Sequence, residues 1–201
     1  MVKKIAVIIT ARASYARIKS FLNEANKSKK NKLYIILNSS SVLEKFGDIT
    51  KILKKDNLKI YHKSFTSLEG ISLSNQVKTT ALNMIDLSVL FKEIKPDIVI
   101  TIAPISSGIV GALVKFFNRK THHHFDVPDI LPDLGISAGM IKNKFLIKIL
   151  FFLEKWVYSK CDTISAITKG QIENIKNKGV NKSKLFYIPD WIDDSFFRKN
   201  L

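Results

Sequence analysis

The chain has 201 residues, 46% of them apolar, and a formal net charge of +16 from 33 lysines and arginines against 17 aspartates and glutamates. That length and apolar share predict one globular core and exclude a disordered chain. No apolar run reaches the roughly 18 residues of a membrane span, and a single cysteine, Cys161, excludes an intrachain disulfide and any zinc site built from cysteines of this chain alone.

Lys3 to Ile9 is a continuous apolar run suited to a buried parallel strand, with its centre at Ile5 to Ile9. Because Met1-Val2-Lys3-Lys4 leads into that strand and not into a signal peptide, a cytoplasmic location is expected. The strand ends in Thr10-Ala11-Arg12-Ala13-Ser14-Tyr15-Ala16-Arg17, which opens a helix over Ser14 to Ala25. A doubly wound fold binds phosphate at such a helix start, so Arg12, Ser14 and Tyr15 are substrate-binding candidates. Arg12 would pair with a diphosphate and Ser14 would cap the helix; the alternative for Arg12 is a solvated surface charge. No Gly-x-Gly-x-x-Gly is present, which disfavours a dinucleotide site.

Further strands are predicted at Leu33 to Leu37, Leu58 to Tyr61, Ile98 to Ile102, His122 to Phe125, Thr163 to Ala166 and Leu185 to Ile188. Between them, helices are predicted at Ser41 to Lys54, Leu73 to Ile94, Gly108 to Phe117, Lys144 to Tyr158 and Gly170 to Lys178. Alternation with short connections predicts an α/β fold with a doubly wound parallel sheet. The polar run from Asn26 to Lys32 reads as an ordinary loop.

His122-His123-His124 does not predict a metal site, because alternation along a strand sends neighbouring side chains to opposite faces. His123 or His124 is instead a candidate base near Asp126, with His124 the favoured one; the alternative is that they are core or edge histidines. The stretch Asp126-Val127-Pro128-Asp129-Ile130-Leu131-Pro132-Asp133 is expected to stay non-helical because of its prolines. Its carboxylates then lie on a surface connection beyond a strand end, which makes Asp126 and Asp129 catalytic candidates; the alternative is that they cap the next helix.

The charge comes mostly from lysine, in Lys27 to Lys32, Lys51 to Lys59, Lys142 to Lys160 and Lys176 to Lys184. No helix-turn-helix, zinc or RNP-type pattern accompanies it, so nucleic acid is not the expected partner. Ile141 to Tyr158 interleaves Phe145, Leu146, Ile149, Phe152 and Trp156 with Lys142, Lys144, Lys148 and Lys155. That pattern suits an anionic membrane surface; the alternative is a helix that packs on the sheet and extends its lysines into water.

Two family resemblances add to this reading. The opening Thr10 to Arg17, Leu43-Glu44-Lys45-Phe46-Gly47, and Lys95-Pro96-Asp97-Ile98-Val99-Ile100 resemble the hydrolysing UDP-N-acetylglucosamine 2-epimerases over about the first hundred residues. From Pro104 onward, Pro104-Ile105-Ser106-Ser107-Gly108, the loop at Asp126 to Asp133, and Leu185-Phe186-Tyr187-Ile188-Pro189-Asp190-Trp191-Ile192-Asp193 resemble family 4 glycosyltransferases. After the strand ending at Ile102 the epimerases place a Gly-Asp-Arg-type turn, which this chain lacks. Both families have the GT-B architecture of two Rossmann-like domains facing across a cleft. The resemblances imply an acceptor-side N-terminal domain over residues 1–188, with a hinge and the start of a second domain over 189–201. They also imply substrate-binding roles for Ser106, Ser107, Gly108 and Lys169, and a UDP-linked nucleotide sugar with a lipid-linked or saccharide acceptor as partners. No cofactor or metal is expected. The implied activity is sugar transfer in surface polysaccharide synthesis, completed by a second donor-binding unit or a separate chain. The alternatives are a 2-epimerase fragment and a non-catalytic partner subunit.

Overall fold

Among the described residues seven parallel strands form one sheet, in which the chain's third, second, first, fourth, fifth, sixth and seventh strands lie side by side in that order. The computed structural model describes residues 2–47, 49–68 and 73–190. The strands are β1 (Lys3–Ile9), β2 (Asn31–Leu37), β3 (Ile60–Lys63), β4 (Ile98–Ile102), β5 (His122–Val127), β6 (Thr163–Ala166) and β7 (Leu185–Tyr187). The helices are α1 (Arg12–Lys27), α2 (Ile49–Lys55), α3 (Leu73–Ile94), α4 (Ile105–Phe117), α5 (Leu131–Ser137), α6 (Lys144–Lys160) and α7 (Lys169–Asn177). The fold is the expected doubly wound α/β, Rossmann-like domain.

From Ile5 to Ile9 strand β1 is apolar because both of its faces are covered there. Its odd-numbered side chains, Ile5, Val7 and Ile9, pack with Tyr15, Ile18 and Leu22 of α1 and Leu53 of α2. Its even-numbered ones, Ala6 and Ile8, pack with Leu87 and Phe91 of α3 and Val110 of α4. On that second face Phe125, Val127, Ile164 and Ala166 meet Val157 and Tyr158 of α6 and Ile175 of α7. Helix α4 lies unusually close to β5. A methyl group at Gly108 would sit 2.8 Å from the Phe125 ring, and one at Gly111 would overlap the His123 imidazole. Gly108 is therefore a packing position, buried on the side of α4 that meets Phe125 and Val157.

Two elements differ from expectation. The helix predicted over Ser41 to Lys54 is divided into two short 3-10 turns, Ser39–Val42 and Glu44–Phe46, followed by α2. Leu43 is extended and Gly47 has φ of 96°, a conformation that glycine adopts without the clash a Cβ brings. The proline-bounded loop, expected to be non-helical, contains α5. Pro132 lies in its first turn, where no intrahelical N–H bond is lost. The expected hinge and second-domain start at 189–201 lies outside the described residues except for Pro189 and Asp190.

Candidate functional site

The strand order reverses between β1 and β4, and open α/β sheets bind ligands in the crevice at that point. Two cavities flank it here. The first, about 640 Å3, is lined by Ser14 and Arg17 of α1, Ala103 and Pro104 after β4, Pro128, Asp129 and Leu131 after β5, Ile167 after β6, and Asp190. The second, about 370 Å3, is lined by Thr10, Asn38, Ser39, Thr79, Thr80, Asn83, Ser106 and Ser107 among apolar groups. Pro104 borders both, and its peptide with Ala103 is cis. The first cavity has charges at its wall, whereas the second offers uncharged hydroxyls and amides.

Arg17 is the centre of the first cavity. Its guanidinium pairs bidentately with Asp126, with Nη2 donating to Oδ1 at 2.8 Å, and its Nη1 pairs with Asp190. Burial works against its charge, but Asp126 and then Asp190 outweigh that and raise its pKa. Asp126 is 4% exposed while the Asp190 side chain is 64% exposed, so one pair is fixed and the other faces solvent. The sequence reading missed Arg17 and favoured Arg12. Arg12 is exposed beside Gly47 and lies outside the cavity lining. Helical spacing could have found Arg17, because it lies one turn beyond Ser14 and shares its face.

Asp126 requires a correction. It belongs to β5 and not to a surface loop, and its oxygens accept from Arg17 and from Ser165 on β6. It holds Arg17 in place. Asp129 is exposed at the cavity wall. Neither aspartate caps α5, whose N-cap residue is Ile130.

The other candidates are spread around the crevice. Ser14 does not cap α1; its hydroxyl lies 3.2 Å from the Thr10 hydroxyl, and Ala11 is the N-cap residue. Tyr15 points into the core and donates to Asp56, away from both cavities; burial and then Asp56 raise its pKa. Ser107 is turned inward onto the carbonyls of Ile102 and Pro104, whereas Ser106 faces the second cavity. Lys169 is exposed at the start of α7, outside the lining of either cavity. Below it, Thr168 and Gln171 form a capping box, and Gln171 also donates to the Pro128 carbonyl at 2.6 Å. That bond ties α7 to the cavity rim.

The three histidines alternate as the strand geometry requires. His123 is buried under α4, with Nε2 2.8 Å from the Thr101 hydroxyl and Nδ1 3.5 Å from the Cys161 sulfur. Burial pushes its pKa down to about 3. His122 and His124 share the opposite face with Asp126. His122 Nε2 lies 3.0 Å from Thr163 Oγ1, His124 Nδ1 lies 2.9 Å from the same oxygen, and His124 Nε2 lies 3.1 Å from Ser165 Oγ. His124 reaches the first cavity only through Ser165, Asp126 and Arg17. Burial lowers its pKa although Asp126 opposes the shift, which leaves it neutral near pH 7. Among the described residues no cluster of three histidine, cysteine, aspartate or glutamate side chains forms a metal site.

The sheet and its crevice define a Rossmann-like domain of the GT-B kind, and solved structures of both expected kinds share it. A UDP-N-acetylglucosamine 2-epimerase structure superposes with a TM-score of 0.70 at 17% identity, over 94% of this chain and 49% of that one. The Neisseria meningitidis UDP-GlcNAc 2-epimerase bound to UDP-GlcNAc gives 0.69 at 12% identity, over 93% and 46%. The lipopolysaccharide outer core galactosyltransferase WaaB gives 0.61 at 18% identity, over 94% and 46%. The chain thus spans about half the length of the structures it matches. Comparison with protein-family models and with curated protein sequences finds no match.

Proposed function

We propose that this domain supplies one wall of a nucleotide-sugar site, completed by a second Rossmann-like domain in the same or a separate chain. The observation that carries the reading is Arg17, held bidentately by buried Asp126 while its outer nitrogen pairs with an exposed carboxylate. A diphosphate can replace Asp190 at that nitrogen without disturbing the inner pair. The uncharged hydroxyls and amides of the second cavity suit a sugar. Neighbouring structures carry UDP-sugars in their own names, which supports the ligand class.

Sugar transfer to a lipid-linked or saccharide acceptor in surface polysaccharide synthesis is the favoured reaction. The turn after β4, Ala103 to Gly108, lacks the Asp-Arg pair that an epimerase-like turn would carry. The 2-epimerase reading is supported by the higher TM-scores of the epimerase structures. In either case the reading assigns to Asp129, exposed at the cavity wall, the role of accepting a proton from substrate.

Titration of the chain with UDP, followed by backbone NMR shifts, tests the site. The expected result is shifts at Thr10 to Arg17 and at Ile167 to Lys169. Arg17→Met is expected to weaken binding by about tenfold or more, the usual scale for a lost charge-assisted hydrogen bond. Shifts that avoid this crevice, or an unchanged affinity in the variant, would remove Arg17 from the site.

A further inference from the structure

Helix α6 presents an apolar stripe to solvent. Phe145, Ile149, Phe152 and Trp156 recur at i, i+4, i+7 and i+11, which places them on one face. Phe145 is 73% exposed, Phe152 69% and Ile149 39%, and the stripe dips into the core only at half-buried Trp156. Lys144, Lys148 and Lys155 run beside it at i, i+4 and i+11 and are all exposed. The one acid in α6, Glu154, is 2% exposed and paired with Lys178 at 2.8 Å. The outer surface of α6 therefore carries aromatic rings and positive charge with no exposed carboxylate. Met140 lies ahead of it, and Phe116 and Phe117 extend the apolar surface from the end of α4, with Lys160 over the Phe116 ring.

We propose that this face docks on an anionic lipid surface, with α6 lying in the headgroup plane. A helix of 17 residues is about 25 Å long, and no helix among the described residues is long and apolar enough to cross a membrane. Nucleic acid would reward the lysines but leave Phe145 and Phe152 in water. A protein groove would reward the rings but gain little from three exposed lysines beside them. An anionic interface rewards both, because rings enter the acyl boundary while ammonium groups stay among the phosphates. This proposal goes beyond the nucleotide-sugar reading and does not depend on it.

Cosedimentation of the full chain with vesicles tests it. Binding is expected to vesicles of phosphatidylcholine mixed with phosphatidylglycerol, weak or absent with phosphatidylcholine alone, and reduced as salt rises. Lys144→Gln with Lys148→Gln is expected to weaken binding by roughly thirtyfold, and Phe145→Ser with Phe152→Ser by about tenfold or more. The four side chains are solvent-facing, so both variants should keep the wild-type circular dichroism. Arg17→Met should bind vesicles like the wild type, which separates this result from failure of the cleft reading. Absence of vesicle binding, equal binding to both lipid compositions, or undiminished binding by either double variant overturns the proposal. So does tight binding of duplex DNA that the lysine variant loses while vesicles are ignored.

Discussion

Asp126→Ala is expected to lower the free energy of unfolding by about 3 kcal/mol or more, measured by urea denaturation. Both partners of the pair are shielded, with the Arg17 side chain 10% exposed and that of Asp126 6% exposed. Removing the carboxylate leaves a guanidinium without its inner partner and deprives the Ser165 hydroxyl of its acceptor. An exposed ion pair would be worth at most about 1 kcal/mol. The double variant Arg17→Met with Asp126→Ala should lose less than the sum of the single variants, because no unpaired charge remains. A loss below about 1 kcal/mol in Asp126→Ala would mean that water shields the pair as it does at a surface.

Stability is expected to fall steeply between pH 6.5 and about pH 3, and buried His123 is the main cause. Its folded-state pKa is depressed, so the folded protein refuses a proton that the unfolded chain accepts below its ordinary value. The contribution is fully present above about pH 6.5 and is lost by about 1.4 kcal/mol per pH unit as the pH falls toward the folded value. His124, also depressed, acts in the same direction. Asp162 is lowered too, despite burial, by its hydrogen bond from the His123 amide and by Lys115, and it adds to the loss at the acidic end. The groups acting on His123 are His124, Asp162, His122 and Lys115. Comparing thermal midpoints of the wild type and His123→Gln at pH 7 and pH 5 isolates its share. The variant is less stable at pH 7 but should show a slope shallower by about one proton. Equal slopes would show that His123 is protonated in the native state.

The parts of the fold that follow from periodicity were legible in the sequence. The runs at Ile5 to Ile9 and Ile98 to Ile102 are apolar on both faces, and the pattern over Leu73 to Ile94 matches α3 end to end. What failed depended on exceptions to local rules. Pro132 reads as a helix breaker until its position in a first turn is known, and Leu43 gives no sign that its backbone is extended. Cavities lie at the strand ends, but several of the named candidates, Arg12, Tyr15 and Lys169 among them, do not line them. Asp126 looks like a loop carboxylate because the residue that buries it, Arg17, is 109 positions away. Tyr15 follows a promising motif, yet helical geometry turns it toward Asp56. Side chains are assigned to a cavity by rotation about a helix axis, and a motif written as a string hides that rotation.

The row of polar side chains on β5 and β6 has only one self-consistent arrangement of protons. Asp126 can only accept, so the Ser165 hydroxyl proton is committed to it. Ser165 must then accept from His124, which fixes His124 as the Nε2–H tautomer with a bare Nδ1. Thr163 therefore donates to that Nδ1 and, its single proton spent, accepts from His122 Nε2–H. The choice made at Asp126 is imposed on two imidazoles in turn, and nitrogen chemical shifts should report Nε2–H at His124. A second proton on His124 would set N–H against O–H at Thr163, forcing that hydroxyl to turn and erasing the direction of the whole row.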